Sequence, residues 1–146
     1  MIRIVVDAAP IDVAQEMALA ETGSAGAVAT FTGLVRADDG VGTLELEHYP
    51  GATERALYGM VEAAMARWSL LGATIVHRVG AMQPGERIVF VAASAPHRGD
   101  ALAACAYLID RLKTEAPFWK RETRGGETRW VEARDGDHAA AARWDG

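Results

Sequence analysis

Asp110-Arg111-Leu112-Lys113-Thr114-Glu115-Ala116-Pro117-Phe118-Trp119-Lys120-Arg121-Glu122-Thr123-Arg124-Gly125-Gly126-Glu127 is the stretch that decides the fold. Upstream of it, Leu102, Cys105, Ile109 and Leu112 recur at helical spacing. Pro117 must end that helix, because its ring removes a backbone donor and clashes with the turn before it. Downstream, Phe118 to Thr123 and Thr128 to Ala133 flank Arg124-Gly125-Gly126-Glu127, the pattern of a β-hairpin turned by glycine. A long helix that runs into a hairpin without a linker belongs to an α+β domain rather than to a bundle or an all-β sandwich.

The same alternation continues toward the N-terminus. Pro96-His97-Arg98-Gly99-Asp100 leads into the helix from a strand over Arg87 to Ser94, itself preceded by a Pro84-Gly85 turn and a strand over Ala73 to Val79. Leu57, Met60, Val61, Ala64 and Trp68 mark an amphipathic helix over about Thr53 to Trp68, with Thr53 as its expected cap. Leu44 to Tyr49 alternates as a half-buried strand, and Ala27 to Thr32 is a small-residue strand that Gly33 should break. Ile2 to Val6 reads as a strand, Ile11 to Ala20 as a short helix, and His138 to Trp144 as a last helical turn. The expectation is a single domain over residues 1–146, an α+β sandwich with a largely antiparallel sheet, two main helices and a C-terminal hairpin.

The chain has 146 residues, 50% of them hydrophobic and 24% charged, enough to bury a core of ordinary size. Its net charge of −5 argues against a general nucleic-acid binder. No apolar run reaches membrane-spanning length. Cys105 is the single cysteine, which excludes an internal disulfide and fits a reducing, cytoplasmic setting. The charge is unevenly spread, with seven basic residues between Arg111 and Arg134 against four acidic ones. On an acidic protein such a patch suits a small anionic ligand.

Thirteen of the fifteen basic residues are arginine; only Lys113 and Lys120 are lysine. A guanidinium stays protonated, whereas a desolvated ammonium can give up its proton, so these two positions are candidates for chemistry that arginine cannot perform. Pro117 turns the chain between them, and Phe118 and Trp119 are placed to wall a common pocket. The plainer alternative is a helix-end lysine complementing the helix dipole and a solvated strand lysine. His97-Arg98, at a strand-to-helix junction, makes an anion site from backbone amides, imidazole and guanidinium, or else a simple surface cap. Phe31-Thr32-Gly33-Leu34-Val35-Arg36 brings an arginine to the end of a strand, where a plain hairpin loop is the alternative. His48 and His77 fall inside strands and are expected to hydrogen-bond in or near the core. No histidine, cysteine or carboxylate spacing suggests a metal.

Several strings, taken in order, resemble the large, catalytic subunit of molybdopterin synthase. They are Thr30-Phe31-Thr32-Gly33-Leu34-Val35-Arg36, Leu46-Glu47-His48-Tyr49-Pro50-Gly51, His77-Arg78-Val79-Gly80, Ala95-Pro96-His97-Arg98, Leu112-Lys113-Thr114, Ala116-Pro117-Phe118-Trp119-Lys120-Arg121-Glu122 and Arg129-Trp130-Val131-Glu132-Ala133-Arg134. The likeness runs from about Gly26 to Arg134, with Leu34 standing where that family often has a basic residue. It implies an α/β hammerhead-type fold. It also implies transfer of sulfur from the thiocarboxylate on the C-terminal Gly-Gly of a small ubiquitin-like subunit to cyclic pyranopterin monophosphate, which forms the dithiolene of molybdopterin. The ending Trp144-Asp145-Gly146 is expected of the acceptor and not of the sulfur carrier.

By the same resemblance Lys113 and Lys120 are catalytic. Leu34, Val35, Arg36, His97, Arg98, Arg121 and Glu122 join them in binding substrate, and Phe31 and Arg134 are further contacts. No metal or other cofactor is implied. The partners implied are the small subunit and a second copy of the chain, a homodimer within a heterotetramer, with His97 and Arg98 able to reach the neighbouring protomer's site. A non-catalytic module that binds a ubiquitin-like tail or a phosphorylated metabolite remains the alternative.

Overall fold

The computed structural model describes residues 1–36, 42–124, 127–130 and 140–145. Strand β1 (Ile2–Asp7), helix α1 (Val13–Ala20), strands β2 (Ala27–Leu34) and β3 (Thr43–His48) and helix α2 (Ala52–Arg67) are followed by strands β4 (Gly72–Arg78), β5 (Gly80–Met82) and β6 (Arg87–Ala95). Helix α3 (Arg98–Glu115) and the hairpin β7 (Phe118–Arg124) and β8 (Glu127–Trp130) complete the order. The strands form two sheets of four, β1-β4-β6-β2 and β5-β3-β7-β8, rather than one. Every pairing is antiparallel except β1 with β4. The two long helices and the final hairpin thus match the sequence pattern. The turn at Gly125-Gly126, the loop from Ala37, Arg134 and His138 lie outside the described residues.

The first sheet is coated on both faces. Ala29, Ala73, Ile75, Val89, Val91 and Ala93 meet α2, α3 and the inner face of the second sheet in the main core, where Leu57, Val61 and Leu108 are fully buried. Val76, Phe90 and Ala92 point the other way and pack with Ile11 and Ala20 beside α1. This double coverage explains why β4 and β6 read as unbroken apolar runs.

Local chemistry accounts for several differences from the sequence expectation. Asp12 caps α1 by accepting from the Gln15 amide at 3.1 Å, so Ile11 lies before the helix and packs in the core. Helix α2 starts from Gly51, whose φ of 85° favours glycine, and Glu54 accepts from the Gly51 amide at 2.9 Å. Leu102 is 61% exposed, because the buried stripe of α3 is Ala101, Ala104, Cys105, Leu108 and Leu112. Strand β2 continues through Gly33 with a register shift there instead of breaking. Gly26 is pinned where β6 turns into α3; a Cβ on it would stand 2.1 Å from the Pro96 carbonyl oxygen.

Thr53 is not the cap but the second residue of α2 and fully buried, where its hydroxyl accepts from the Tyr49 amide at 2.9 Å and donates to the Pro117 carbonyl at 3.1 Å. That hydroxyl ties the end of β3 and the start of α2 to the bend between α3 and β7. Thr53→Val keeps the shape and removes both bonds. It should lower stability by about 2–3 kcal/mol, the usual cost of stranding buried polar groups, as read by urea denaturation.

Candidate active site

Lys113 lies in the last turn of α3 and Lys120 in β7, on either side of Pro117. Strand register fixes which way β7 presents its side chains. Phe118, Lys120 and Glu122 pair with His48, Leu46 and Leu44, whereas Trp119, Arg121 and Thr123 pair with Glu47, Glu45 and Thr43. Leu44 and Leu46 are buried in the main core, so Lys120 and Glu122 belong to the inner face and Arg121 to the outer one.

The convergence point of the inner face is His77, at the end of β4. Its ring is buried and stacks on Phe118 with centroids 4.1 Å apart and an interplanar angle of 24°. Nδ1 lies 2.9 Å from the Arg78 carbonyl oxygen, so Nδ1 donates and Nε2 keeps a lone pair. Burial pushes the imidazole down to about 4; the hydrogen bond to Arg78 opposes this, and the charges of Lys113, Lys120 and His48 add to it. Both lysines therefore act electrostatically on one neutral histidine. His48 stands at the rim, its Nε2 4.0 Å from Glu54 Oε2.

The remaining candidate residues divide between two ends of the molecule. Leu34 pairs with Arg87 and His77 with Val89, so the end of β2 lies at the same end of the first sheet as the lysines. There Val35 is buried, donates to the Glu86 carbonyl at 2.9 Å and accepts from the Gly85 amide at 2.8 Å. Those bonds hold the Pro84-Gly85 turn against β2 and present Arg36 and the 54%-exposed Leu34 at the surface. Phe31, paired with Val91 in mid-strand, packs against the main core. Arg121 is held on the outer face by Glu45 and by Glu47 at 3.4 Å, away from Lys120. Trp119, on that same outer face, is 47% exposed and meets Tyr49 edge to face. Only Phe118 of the aromatic pair therefore lines the lysine side.

His97 and Arg98 are exposed at the start of α3, and His97 makes no side-chain capping bond. Fifteen residues of helix separate Arg98 from Lys113, an axial distance of about 22 Å at 1.5 Å per residue. Within one chain they cannot share a pocket with the lysines.

His77, expected to hydrogen-bond in or near the core, does so through the Arg78 carbonyl, and it and His48 also lie on the side of the sheet that carries Lys120. The available signal was strand alternation, which places His48 on the same face as Leu44 and Leu46. Cys105 is buried on α3 and its thiol is pushed up to about 11 by burial, so it stays protonated. Among the described residues, no three histidine, cysteine or acidic side chains converge to hold a metal ion.

Fold and site together define a class: a two-sheet α+β domain in which an exposed lysine at a helix end and a half-buried lysine on the adjoining strand both act electrostatically on one buried, neutral histidine. Residues 6–115 match the MoaE protein family, and the chain belongs to that family. It is 49% identical over 146 residues to the molybdopterin synthase catalytic subunit of Escherichia coli (strain K12), covering 97% of both chains. With the subunit of the same description from Salmonella typhimurium (strain LT2) it shares 51% identity over 97% of each chain. Among solved structures, the molybdopterin biosynthesis MoaE protein from Burkholderia ambifaria MC40-6 superposes with a TM-score of 0.86 at 47% identity, covering 100% of this chain and 99% of that one. The molybdopterin synthase structure from Staphylococcus aureus gives 0.80 at 34% identity, over 88% and 95% of the two chains.

The His77 environment fixes a pH dependence. Its folded-state value lies below the ordinary 6.5, so the unfolded chain takes up a proton that the native state refuses, and stability falls as pH drops from about 6.5 toward 4. Wild-type protein should lose about 2 kcal/mol of unfolding free energy through this group between about pH 7.5 and 5, and His77→Gln should lose that much less. Denaturant titrations at the two pH values measure the difference.

Proposed function

We propose that this chain is the catalytic subunit of a molybdopterin synthase. It accepts sulfur from the C-terminal Gly-Gly thiocarboxylate of a small ubiquitin-like subunit and installs it in cyclic pyranopterin monophosphate to form the dithiolene of molybdopterin. The observation that carries this is the lysine pair: in a chain that otherwise uses arginine, its only two lysines flank one bend and act on the same neutral histidine. Thiocarboxylate sulfur is already nucleophilic. The protein's task is to orient two anions, stabilise developing oxyanions and move protons, and two ammonium groups on a rigid frame suit it. Cys105, buried and protonated, is a poor sulfur carrier, which fits delivery from a partner.

Lys113 and Lys120 are the proposed acid–base groups. Leu34 and Arg36 flank the approach to the substrate anion at the end of β2, with Val35 buried beneath them and fixing their position; Glu122 adjoins Lys120 on the inner face, and Arg121, paired with Glu45 and Glu47, contributes from the outer face. Phe31 supports that strand from within, and Arg134 completes the basic segment. His97 and Arg98 serve the site of a second copy, because about 22 Å of helix separates Arg98 from its own Lys113. Leu102, one turn from Arg98 and 61% exposed, supplies apolar surface for such pairing. The assembly is then a homodimer with one small subunit at each end. No helix among the described residues is long and apolar enough to cross a membrane, and a cytoplasmic setting suits a free thiol and a thiocarboxylate partner.

Single-turnover sulfur transfer from a thiocarboxylated small subunit separates acid–base chemistry from simple charge. Lys113→Arg and Lys120→Arg keep the positive charge, yet at least one should fall by about 10²–10⁴ in rate, with the larger loss at Lys113. Near-normal rates in both correctly folded variants would favour a non-catalytic binding module. A complementary measurement concerns the dimer. Arg98→Ala should weaken binding of the cyclic pterin by about ten- to a hundredfold, the worth of one charge-assisted contact. Mixing Arg98→Ala with Lys113→Ala protein should restore part of the activity that each lacks, whereas no restoration after subunit exchange would exclude a site shared between copies.

A further inference from the structure

His77 is the buried titratable group on which Lys113 and Lys120 both act, and sulfur transfer as proposed gives its ring no part. We infer that His77 is the positioning residue of the lysine pair: pinned to the Arg78 carbonyl and stacked on Phe118, it fixes the start of β7 and places an uncharged acceptor, not a third cation, beside Lys113 and Lys120. The inference rests on those lysines being the reacting groups.

The mechanical half follows from the contacts. Phe118 opens β7 two residues before Lys120 on the same face, and its ring lies flat on His77 at 4.1 Å. His77 in turn cannot rotate freely, because turning the ring would strand both Nδ1–H and the Arg78 carbonyl. The position of Lys120 is thus referred back to β4, a fully buried strand, rather than left to a hairpin.

The electrostatic half follows from the tautomer. With Nδ1 donating to Arg78, the Nε2 atom is a lone-pair acceptor. Among the described residues, the charged and titratable groups that act on the ring are Lys113 from α3, Lys120 from β7 and His48 from β3, with Glu54 of α2 behind His48 at 4.0 Å. A neutral ring with an acceptor nitrogen favours nearby ammonium groups, whereas an imidazolium would disfavour them. A neutral His77 therefore favours the protonated form of an ammonium group that reaches its Nε2.

The test is the pH–rate profile of single-turnover sulfur transfer between about pH 6 and 10 in wild type, His77→Phe and His77→Asn. Phenylalanine keeps an aromatic ring for Phe118 and has no acceptor; asparagine keeps a neutral acceptor and has no ring. In His77→Phe the lysine limb should move to lower pH by about half a unit or more, with partner binding retained, while His77→Asn should keep the wild-type limb at a rate reduced about three- to tenfold. Profiles that superpose on wild type after scaling by one factor would overturn the inference and leave His77 a packing residue. Should either variant fail to fold, nitrogen-15 spectra of the wild-type imidazole decide the matter. A single Nδ1–H tautomer from about pH 7.5 to 5.5 supports the inference, and an Nε2–H tautomer or an imidazolium in that range overturns it. Wild-type rates in Lys113→Ala and Lys120→Ala would sink the parent reading instead, an outcome distinguishable from unchanged His77 profiles beside inactive lysine variants.

Discussion

One buried hydroxyl holds the site's geometry together. Thr53 Oγ1 receives the Tyr49 amide and gives its proton to the Pro117 carbonyl, so the three segments that carry His48, Lys113 and Lys120 meet through a single atom. Pro117 makes the meeting necessary. It ends α3 and has no amide hydrogen of its own to donate, and its half-buried carbonyl takes a partner from another element. The side chain that supplies that partner sits in the first turn of α2, where a threonine hydroxyl can also satisfy an amide outside the helix. Stability and the aim of the lysines are consequently the same constraint.

Around that junction the electrostatics are arranged by exclusion. Burial leaves His77 neutral and Cys105 protonated, so the charges that the inner face of β7 and the end of α3 bring to this side are the Lys113 and Lys120 ammonium groups and the Glu122 carboxylate. The outer face is organised differently. Arg121 is engaged by Glu45 and Glu47 across the β3–β7 ladder, a cross-strand pairing that braces the sheet. A single residue step along β7 separates a lysine turned toward a buried histidine from an arginine turned toward carboxylates. This is why neighbouring basic residues in one string have different surroundings.

The two long helices, the apolar strands β4 and β6 and the closing hairpin were legible because each follows one period and ends at proline or glycine. What escaped was decided by neighbours distant in sequence. On α3, Leu102 matches the helical spacing of Cys105, Ile109 and Leu112, but the buried face is turned toward Ala101, Ala104, Cys105, Tyr107, Leu108 and Leu112, and Leu102 points outward. Strand β5 is three residues long and has too little alternation to register. Thr53 has the composition of a cap and instead bonds to a carbonyl 64 residues away. Composition singles out Lys113 and Lys120, but not that their charges fall on one buried ring; His77 shows in the sequence only as a histidine in a strand, because the Phe118 ring that stacks on it comes from another sheet.

The separation of His97-Arg98 from Lys113 by the full length of α3 has meaning only if that helix behaves as a rigid beam. Its middle is clamped by a cluster of aromatic rings: Trp68, Tyr107 and Trp144 meet pairwise edge to face with centroids 5.3–5.6 Å apart. The Arg67 guanidinium lies over all three at 5.0, 5.3 and 5.6 Å, and it donates to the Trp144 carbonyl at 2.9 Å. Trp144 Nε1 donates to Asp110 at 2.6 Å, and Arg143 reaches the same carboxylate at 2.8 Å. Contacts of these kinds are each worth on the order of 1 kcal/mol, and here they bind the end of α2, the middle of α3 and residues 143–144 into one unit. A helix held in this way cannot bend to bring its two basic ends together. Any site that uses both ends must draw them from different copies of the chain.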